Sequence, residues 1–183
     1  MSEKMILKHC SPTLAGIKTG NMFSCPYKST VEMRNAVRSW NKTLSVKGLR
    51  ILPLKYNGDR ALIYIFRPSL LSRDLQNASA CNILHNCGYK TSNINKCIAQ
   101  LVKRVSTNDD FPHEIGLFLG YPPEDVYGFI ENKANCYKCT GCWKVYGNEE
   151  NAKKTFAKYK KCTDIYCKQY SEGKSIERLT VVG

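Results

Sequence analysis

The sequence predicts an α+β fold in which a small, mostly antiparallel sheet packs with about six helices. Two apolar segments, 49–55 and 60–66, flank Asn57 and Gly58, and an Asn-Gly pair supplies the positive φ angles of a tight hairpin turn. Elsewhere, apolar residues recur at helical spacing in several segments. No internal repeat or low-complexity linker divides the chain, so we expect a single domain over residues 1–183.

The remaining elements follow from turn residues and apolar periodicity. Residues 11–26 contain Gly16 and Gly20 between apolar residues and predict a strand with a turn or bulge. Gly48 suits the position just past a helix, and Pro68 suits a first helical turn. The predicted elements after residue 26, besides the hairpin, are helices over 30–46, 67–84, 92–105, two short segments on either side of 120–123, and 148–170, with a short strand over 143–146.

The net charge of +13 is unevenly distributed. One stretch, 106–131, holds six acids and no Lys or Arg, while the rest of the chain is basic. A basic surface favours a partner such as nucleic acid, a phosphorylated ligand or an acidic protein, and a solvated surface without a partner is the alternative. No segment approaches the roughly 20 apolar residues of a membrane helix, and no leader is recognisable, so we expect a cytoplasmic protein without membrane contact.

Ten cysteines in a reducing cytoplasm are expected to be mostly unbridged thiols. Three of them, Cys136, Cys139 and Cys142, form a C-x2-C-x2-C run, a spacing that lets a chain turn around one zinc ion or iron–sulfur cluster. The local fourth cysteine of a ferredoxin-type run is absent, so a fourth ligand would come from Cys162, Cys167 or Cys25. Incidental or packed thiols, and a redox dithiol at Cys139 and Cys142, are the alternatives.

Residues 115–130 have the spacing of a helix-turn-helix around Gly120. The second helix begins with two acids in the acidic stretch, which argues against the phosphate contacts of a DNA reader. We therefore expect a packed helical corner, with nucleic-acid binding an alternative function of the basic faces. His113 and Glu114 open the corner and are candidate catalytic or metal-ligating residues, with capping and complementarity to the helix dipole as the plainer interpretation.

A second candidate site lies near the N-terminus, at His9 and Cys10. Neighbouring residues of a strand point to opposite faces, so a nucleophilic Cys10 would need a histidine from elsewhere, such as His113. Burial of Cys10 in the core is the alternative.

The segment 113–130, HEIGLFLGYPPEDVYGFI, resembles a family of anaerobic Firmicutes known as domain of unknown function 3793. Segments 10–18, 49–66, 143–147 and 156–162 are similar to it as well, so the resemblance covers nearly the whole chain. It implies no activity. It does imply a cell that uses thiol and iron–sulfur chemistry, a cysteine triplet peculiar to this member, and a shared function that uses His9, Cys10, Lys18, His113 and Glu114.

Together these features predict a small cytosolic ligand-binding or accessory protein of anaerobic metabolism, whose pocket forms where segment 10–18 meets the His113 corner. The candidate ligand-binding residues are His9, Cys10, Lys18 and Tyr121. A thiol- or metal-dependent enzyme and a nucleic-acid-binding protein are the alternative functions. The expected partner is a small molecule or an acidic protein.

Overall fold

The computed structural model describes residues 1–107 and 110–183. Across these residues the chain forms nine α-helices and two antiparallel sheets, of three and two strands, which confirms the α+β class but exceeds the predicted six helices. The chain divides into two compact units, here called unit 1 (Met1–Leu70 with Tyr159–Gly183) and unit 2 (Leu71–Lys158). The single domain stays a prediction. Within the described part of the chain, no helix combines the length and apolar character needed to cross a membrane.

Unit 1 is built on the predicted hairpin. Strands β2 (Arg50–Asn57) and β3 (Arg60–Phe66) pair in antiparallel register, and Gly58 in their turn has a φ of 55°. Strand β1 (Gly20–Pro26) pairs with the other edge of β3, so the sheet order is β1-β3-β2. The central position of β3 explains why its residues are almost continuously buried.

The helices of unit 1 cover this sheet. The helix predicted over 30–46 is α2 (Thr30–Leu44), and a 3₁₀ turn then leads to Gly48, whose φ is 79°. Helix α1 (Glu3–Leu14) packs on β1, and the short α9 (Ile176–Leu179) packs on α1. Their buried side chains form one apolar core with the sheet, which includes Ile6, Leu7, Cys10, Phe23, Met33, Ile63, Ile65 and Ile176.

The prediction of a strand over 11–26 is wrong for its first half. Residues up to Leu14 belong to α1, and the strand begins only at Gly20. Gly16 and Gly20 had indicated a strand with a turn or bulge, but Gly16 follows α1 with a φ of 72° and Gly20 is the first residue of β1. Pro12 lies in the last turn of α1. The apolar face of α1 is buried against β1, and that burial outweighs the cost of a proline near the helix end.

Unit 2 consists mainly of helices. The single helix predicted over 67–84 is wrong, because the structure has α3 (Pro68–Leu75) and α4 (Ala78–Asn86). Asn77 separates them: its Oδ1 accepts hydrogen bonds from the backbone N–H groups of Ser79 and Ala80, which starts a new helix. The other elements are α5 (Ile94–Thr107), α6 (Ile115–Phe118), α7 (Pro123–Glu131), β4 (Cys139–Thr140), β5 (Lys144–Val145) and the first part of α8 (Glu149–Ser171).

Candidate functional site

Unit 2 contains a cavity of about 350 Å³, lined by residues of the α6–α7 corner and of the β4–β5 hairpin. Its lining is mostly aromatic and aliphatic, and includes Phe111, Ile115, Leu119, Tyr121, Phe129 and Trp143. His113, Asp125, Thr140 and Lys144 are the polar residues of the lining. An apolar concavity with a few polar groups is the usual form of a small-molecule site.

The corner forms because α6 and α7 approach closely. A side chain at Gly116 would place its Cβ 2.7 Å from Cγ2 of Val126, so only glycine fits there. Gly120 then turns the chain with a φ of 74°, and Pro123 starts α7 at a position that needs no N–H donor. The predicted packed corner is therefore present, with a first helix of only four residues.

Asp125 holds the side of the cavity that is formed by Trp143 and the β4–β5 hairpin. Its carboxylate is 3% exposed and accepts three hydrogen bonds: Oδ2 from Nε1 of Trp143 at 2.6 Å, and Oδ1 from the backbone N–H groups of Tyr146 and Gly147, both at 2.7 Å. The sequence-based reasoning treated Asp125 only as part of the acidic stretch. Helical periodicity carried a usable signal, since Asp125 lies one turn before the apolar Phe129.

Two aromatic rings pack against Trp143. Tyr121 stacks on the indole at a centroid distance of 4.7 Å and an interplanar angle of 28°, and its hydroxyl donates to the carbonyl of Cys142 at 3.2 Å. Phe156, from the part of α8 in unit 2, meets the indole edge-on at 4.5 Å. With its N–H bound to Asp125, the indole ring has a fixed orientation before any ligand arrives.

Two basic side chains flank Phe129 in the cavity lining. The exposed imidazole of His113 meets the Phe129 ring edge-on at 4.9 Å. The Nζ of Lys144 lies 5.9 Å from the Phe129 centroid and 4.6 Å from that of Tyr137, and donates to the carbonyl of Ala134 at 2.8 Å. This end of the cavity is rich in hydrogen-bond donors.

A family model described as a protein of unknown function, DUF3793, matches residues 6–180. The chain belongs to the DUF3793 family. No curated protein and no solved structure matches it. Two of the segments through which the sequence resembles DUF3793, 113–130 and 143–147, both contribute to the cavity. The candidates His113 and Tyr121 are thus brought together with Trp143 and Lys144, which sequence reasoning had placed only on a short strand.

Glu114, although adjacent to His113, does not line the cavity of this DUF3793 protein. Its carboxylate is buried, pairs with Nε of Arg104 at 2.8 Å, and accepts a hydrogen bond from the Tyr89 hydroxyl at 3.0 Å. Burial and the neighbouring Glu114 raise the pKa of Tyr89. These contacts connect α5 and the segment after α4 to α6, so Glu114 serves packing of unit 2.

The candidates of segment 10–18 lie in unit 1, with His9 and Cys10 on α1 rather than on a strand. Cys10 is fully buried, and burial raises the pKa of its thiol against the opposing effect of Lys18, which makes it a poor nucleophile. Lys18 is also buried and donates from Nζ to the carbonyl of Gly20. His9 stacks on Phe23 at 5.4 Å, and partial burial with Lys8 nearby lowers the pKa of its imidazole. The predicted ligand-binding role of these residues stays a prediction.

The cysteine run surrounds the β4–β5 hairpin. Cys136 precedes it with a φ of 57°, Cys139 begins β4, and Cys142 lies in the turn. Among residues 1–107 and 110–183, no three His, Cys, Asp or Glu side chains are grouped so that they could hold one metal ion. Cys162 belongs to unit 1. Zinc or cluster binding at these cysteines stays a prediction.

The lysine-rich face of α8 is partly neutralised within the helix. Ion pairs four residues apart join Lys153 to Glu149, Lys154 to Glu150, Lys160 to Asp164 and Lys168 to Glu172. Such pairs are typical of a solvated helix face. Nucleic acid or an acidic protein as a partner of this face stays a prediction.

Proposed function

We propose that this DUF3793 protein binds a small, flat, mostly apolar molecule in the cavity of unit 2. The observation that carries the proposal is the fixed orientation of Trp143, which Tyr121, Phe156 and Asp125 hold as one wall of the cavity. A ring laid against this wall gains from stacking, about 0.5–1.5 kcal/mol per aromatic pair beyond its buried area. Because the wall is already ordered, little conformational entropy opposes binding.

The contacts and burial of the titratable side chains favour binding over catalysis. Asp125 already accepts three hydrogen bonds and therefore serves the architecture rather than proton transfer. Glu114 is engaged by Arg104 and Tyr89, and Cys10 is a buried thiol. The proposal keeps the expectation of a cytosolic binding or accessory protein of anaerobic metabolism, and a thiol- or metal-dependent enzyme remains the alternative.

The two tryptophans offer a direct test. Replacing Trp40 of unit 1 by Phe leaves Trp143 as the one indole, whose emission can pass to a neutral naphthalene probe, N-phenyl-1-naphthylamine. We expect saturable energy transfer in the W40F protein. Phe129→Ala should weaken it by about tenfold through loss of a ring contact, and Leu119→Phe should weaken it by narrowing the cavity.

The matched control is Tyr127→Ala, since Tyr127 is an exposed aromatic residue of the same helix α7 that does not line the cavity. It should bind the probe like the W40F parent. Absence of saturable transfer, or equal transfer in all variants with unchanged circular dichroism, would refute the proposed site.

A further inference from the structure

The ammonium group of Lys144 uses only part of its hydrogen-bonding capacity within the protein. An ammonium group has three N–H donors, and Lys144 uses one on the carbonyl of Ala134. Aromatic faces of Tyr137 and Phe129 lie near the charge. Among the described residues, no carboxylate lies within the 4.0 Å that defines an ion pair with Lys144. A cation without a counter-ion therefore borders a mostly apolar cavity.

The other charge of the lining does not neutralise Lys144. The carboxylate of Asp125 is turned to Trp143 and to the backbone of the hairpin, where three neutral N–H groups solvate it. His113, which also packs against Phe129, adds a further donor. Polar atoms that could contact a ligand at this end are thus mainly donors, a pattern suited to an anionic acceptor.

We infer that the ligand is an aromatic monocarboxylate, whose ring lies against Trp143 and Tyr121 and whose carboxylate pairs with Lys144. This inference rests on the proposed function of the cavity. One ammonium balances one negative charge, and the apolar lining would leave a second charge unpaired at high cost. A volume of about 350 Å³ suits a fused two-ring acid better than a large cofactor.

The experiment compares two probes of nearly the same shape, 2-naphthoate and 2-naphthamide, by isothermal titration calorimetry. We expect the protein to bind the carboxylate about tenfold more tightly than the amide, the effect of one charge-assisted hydrogen bond at a partly exposed site. Lys144→Met should remove this preference, so that the ratio of the two affinities falls to about one. Lys144→Arg should retain most of it.

Lys133→Met serves as the matched control, because Lys133 is exposed, follows α7 and does not line the cavity. Equal affinity of the wild-type protein for both probes overturns the inference and leaves the proposed function standing. Binding of N-phenyl-1-naphthylamine without binding of the carboxylate has the same meaning. Failure of all three probes overturns the proposed function itself. If Lys144→Met does not fold, the ratio of the two affinities in the wild-type protein and in Lys144→Arg still tests the inference.

Discussion

Arg67 is a fully buried cation that caps helix ends in unit 1. Its guanidinium donates to the carbonyls of Thr13, Leu14 and Val181 at 2.7 Å and to that of Lys47 at 3.2 Å. The first two carbonyls belong to the last turn of α1, and each also accepts one backbone N–H from beyond the helix, from Gly16 and Val181 respectively. Burial lowers the pKa of Arg67, so the carbonyls have to compensate the lost hydration of the charge.

Replacing Arg67 by Met should lower the free energy of unfolding by about 3 kcal/mol or more, since several carbonyls lose a charge-assisted hydrogen bond at once. Arg67→Lys should lose less, because an ammonium can still reach some of them. Urea denaturation measures both. Arg38→Met, an exposed arginine of α2, is the control and should stay within about 0.5 kcal/mol of wild type. An equally small loss for Arg67→Met would contradict a capping role.

Cys10 should make the stability of the protein fall at alkaline pH. Its thiol pKa is raised in the folded state, chiefly by burial, so the unfolded chain loses this proton first as the pH rises. Below about pH 8 the thiol is protonated in both states and its contribution is complete; above it, stability falls by about 1.4 kcal/mol per pH unit. Denaturation of wild type and Cys10→Ala at several pH values should show a shallower decline in the variant.

The exposed Cys167 provides the comparison for this experiment. Cys167→Ala should keep the wild-type slope, because this substitution leaves the buried thiol of Cys10 in place. The buried Cys97 also has a raised thiol pKa, so part of the slope should persist without Cys10. A Cys10→Ala slope identical to that of wild type would mean that Cys10 does not remain protonated in the folded protein.

At the scale of elements, the features that the sequence predicted correctly are those set by the backbone preferences of neighbouring residues. The hairpin is confirmed, and Gly58 specifies its turn by its own backbone preference. Asn57, which was expected to share the positive φ, is instead the last residue of β2. Helix α1 was missed because its identity depends on burial against β1, which a single sequence does not display. The boundary between α3 and α4 depends on one side chain, Asn77, in a segment whose apolar spacing continues through it.

The candidate site likewise includes residues that the sequence predicted and residues that it did not. His113 and Tyr121 were predicted from residue types in one continuous segment, and both line the cavity. The hydrogen-bond partners of Asp125 and Lys144 could not be predicted, because each partner lies in a segment at least ten residues away. Helical periodicity relates Asp125 to Phe129 on one face of α7, but it does not show which group across the elements the carboxylate binds.

Helix α7 packs closely on β5 and on the following Tyr146 because Gly128 has no side chain. At Gly128 a Cβ would lie 2.6 Å from Cβ and 2.9 Å from Cδ1 of Tyr146, near the root of that side chain, where little movement is available. Gly→Ala within a helix normally stabilises by about 0.5–1 kcal/mol. Here we expect the opposite sign, a loss of about 1–3 kcal/mol from overpacking in urea denaturation.

A double-mutant cycle isolates the cause of this loss. In a Tyr146→Gly background both the Cβ and the ring are absent, so Gly128→Ala should become neutral or stabilising. Loss of stability of the same size in both backgrounds would show that the cost does not come from contact with the Tyr146 side chain.

For the whole chain, the ten cysteines form graded environments rather than one site. None is joined in a disulfide, and their exposure ranges from Cys10, Cys25 and Cys97, which are buried, to Cys136, Cys142 and Cys167, which are exposed. Because the reactive species is an accessible thiolate, the order of alkylation should follow this exposure. The same measurement tests the metal prediction, since bound zinc would protect its thiolate ligands.

Protein purified without oxygen and treated briefly with iodoacetamide should be modified first at Cys136, Cys142 and Cys167, as read by mass spectrometry. Cys10, Cys25 and Cys97 should react only after denaturation, when all ten thiols become reactive without any reductant. A cysteine that stays unmodified in denaturant until reductant is added would reveal a disulfide and contradict the structure. If the run binds metal, added Zn²⁺ should slow modification of Cys136, Cys139 and Cys142 together, while the rate at Cys167, the internal control, should not change. Equal rates with and without Zn²⁺ would rule out a zinc site at the run. The aromatic cavity of unit 2 would then be the place where a ligand is to be sought.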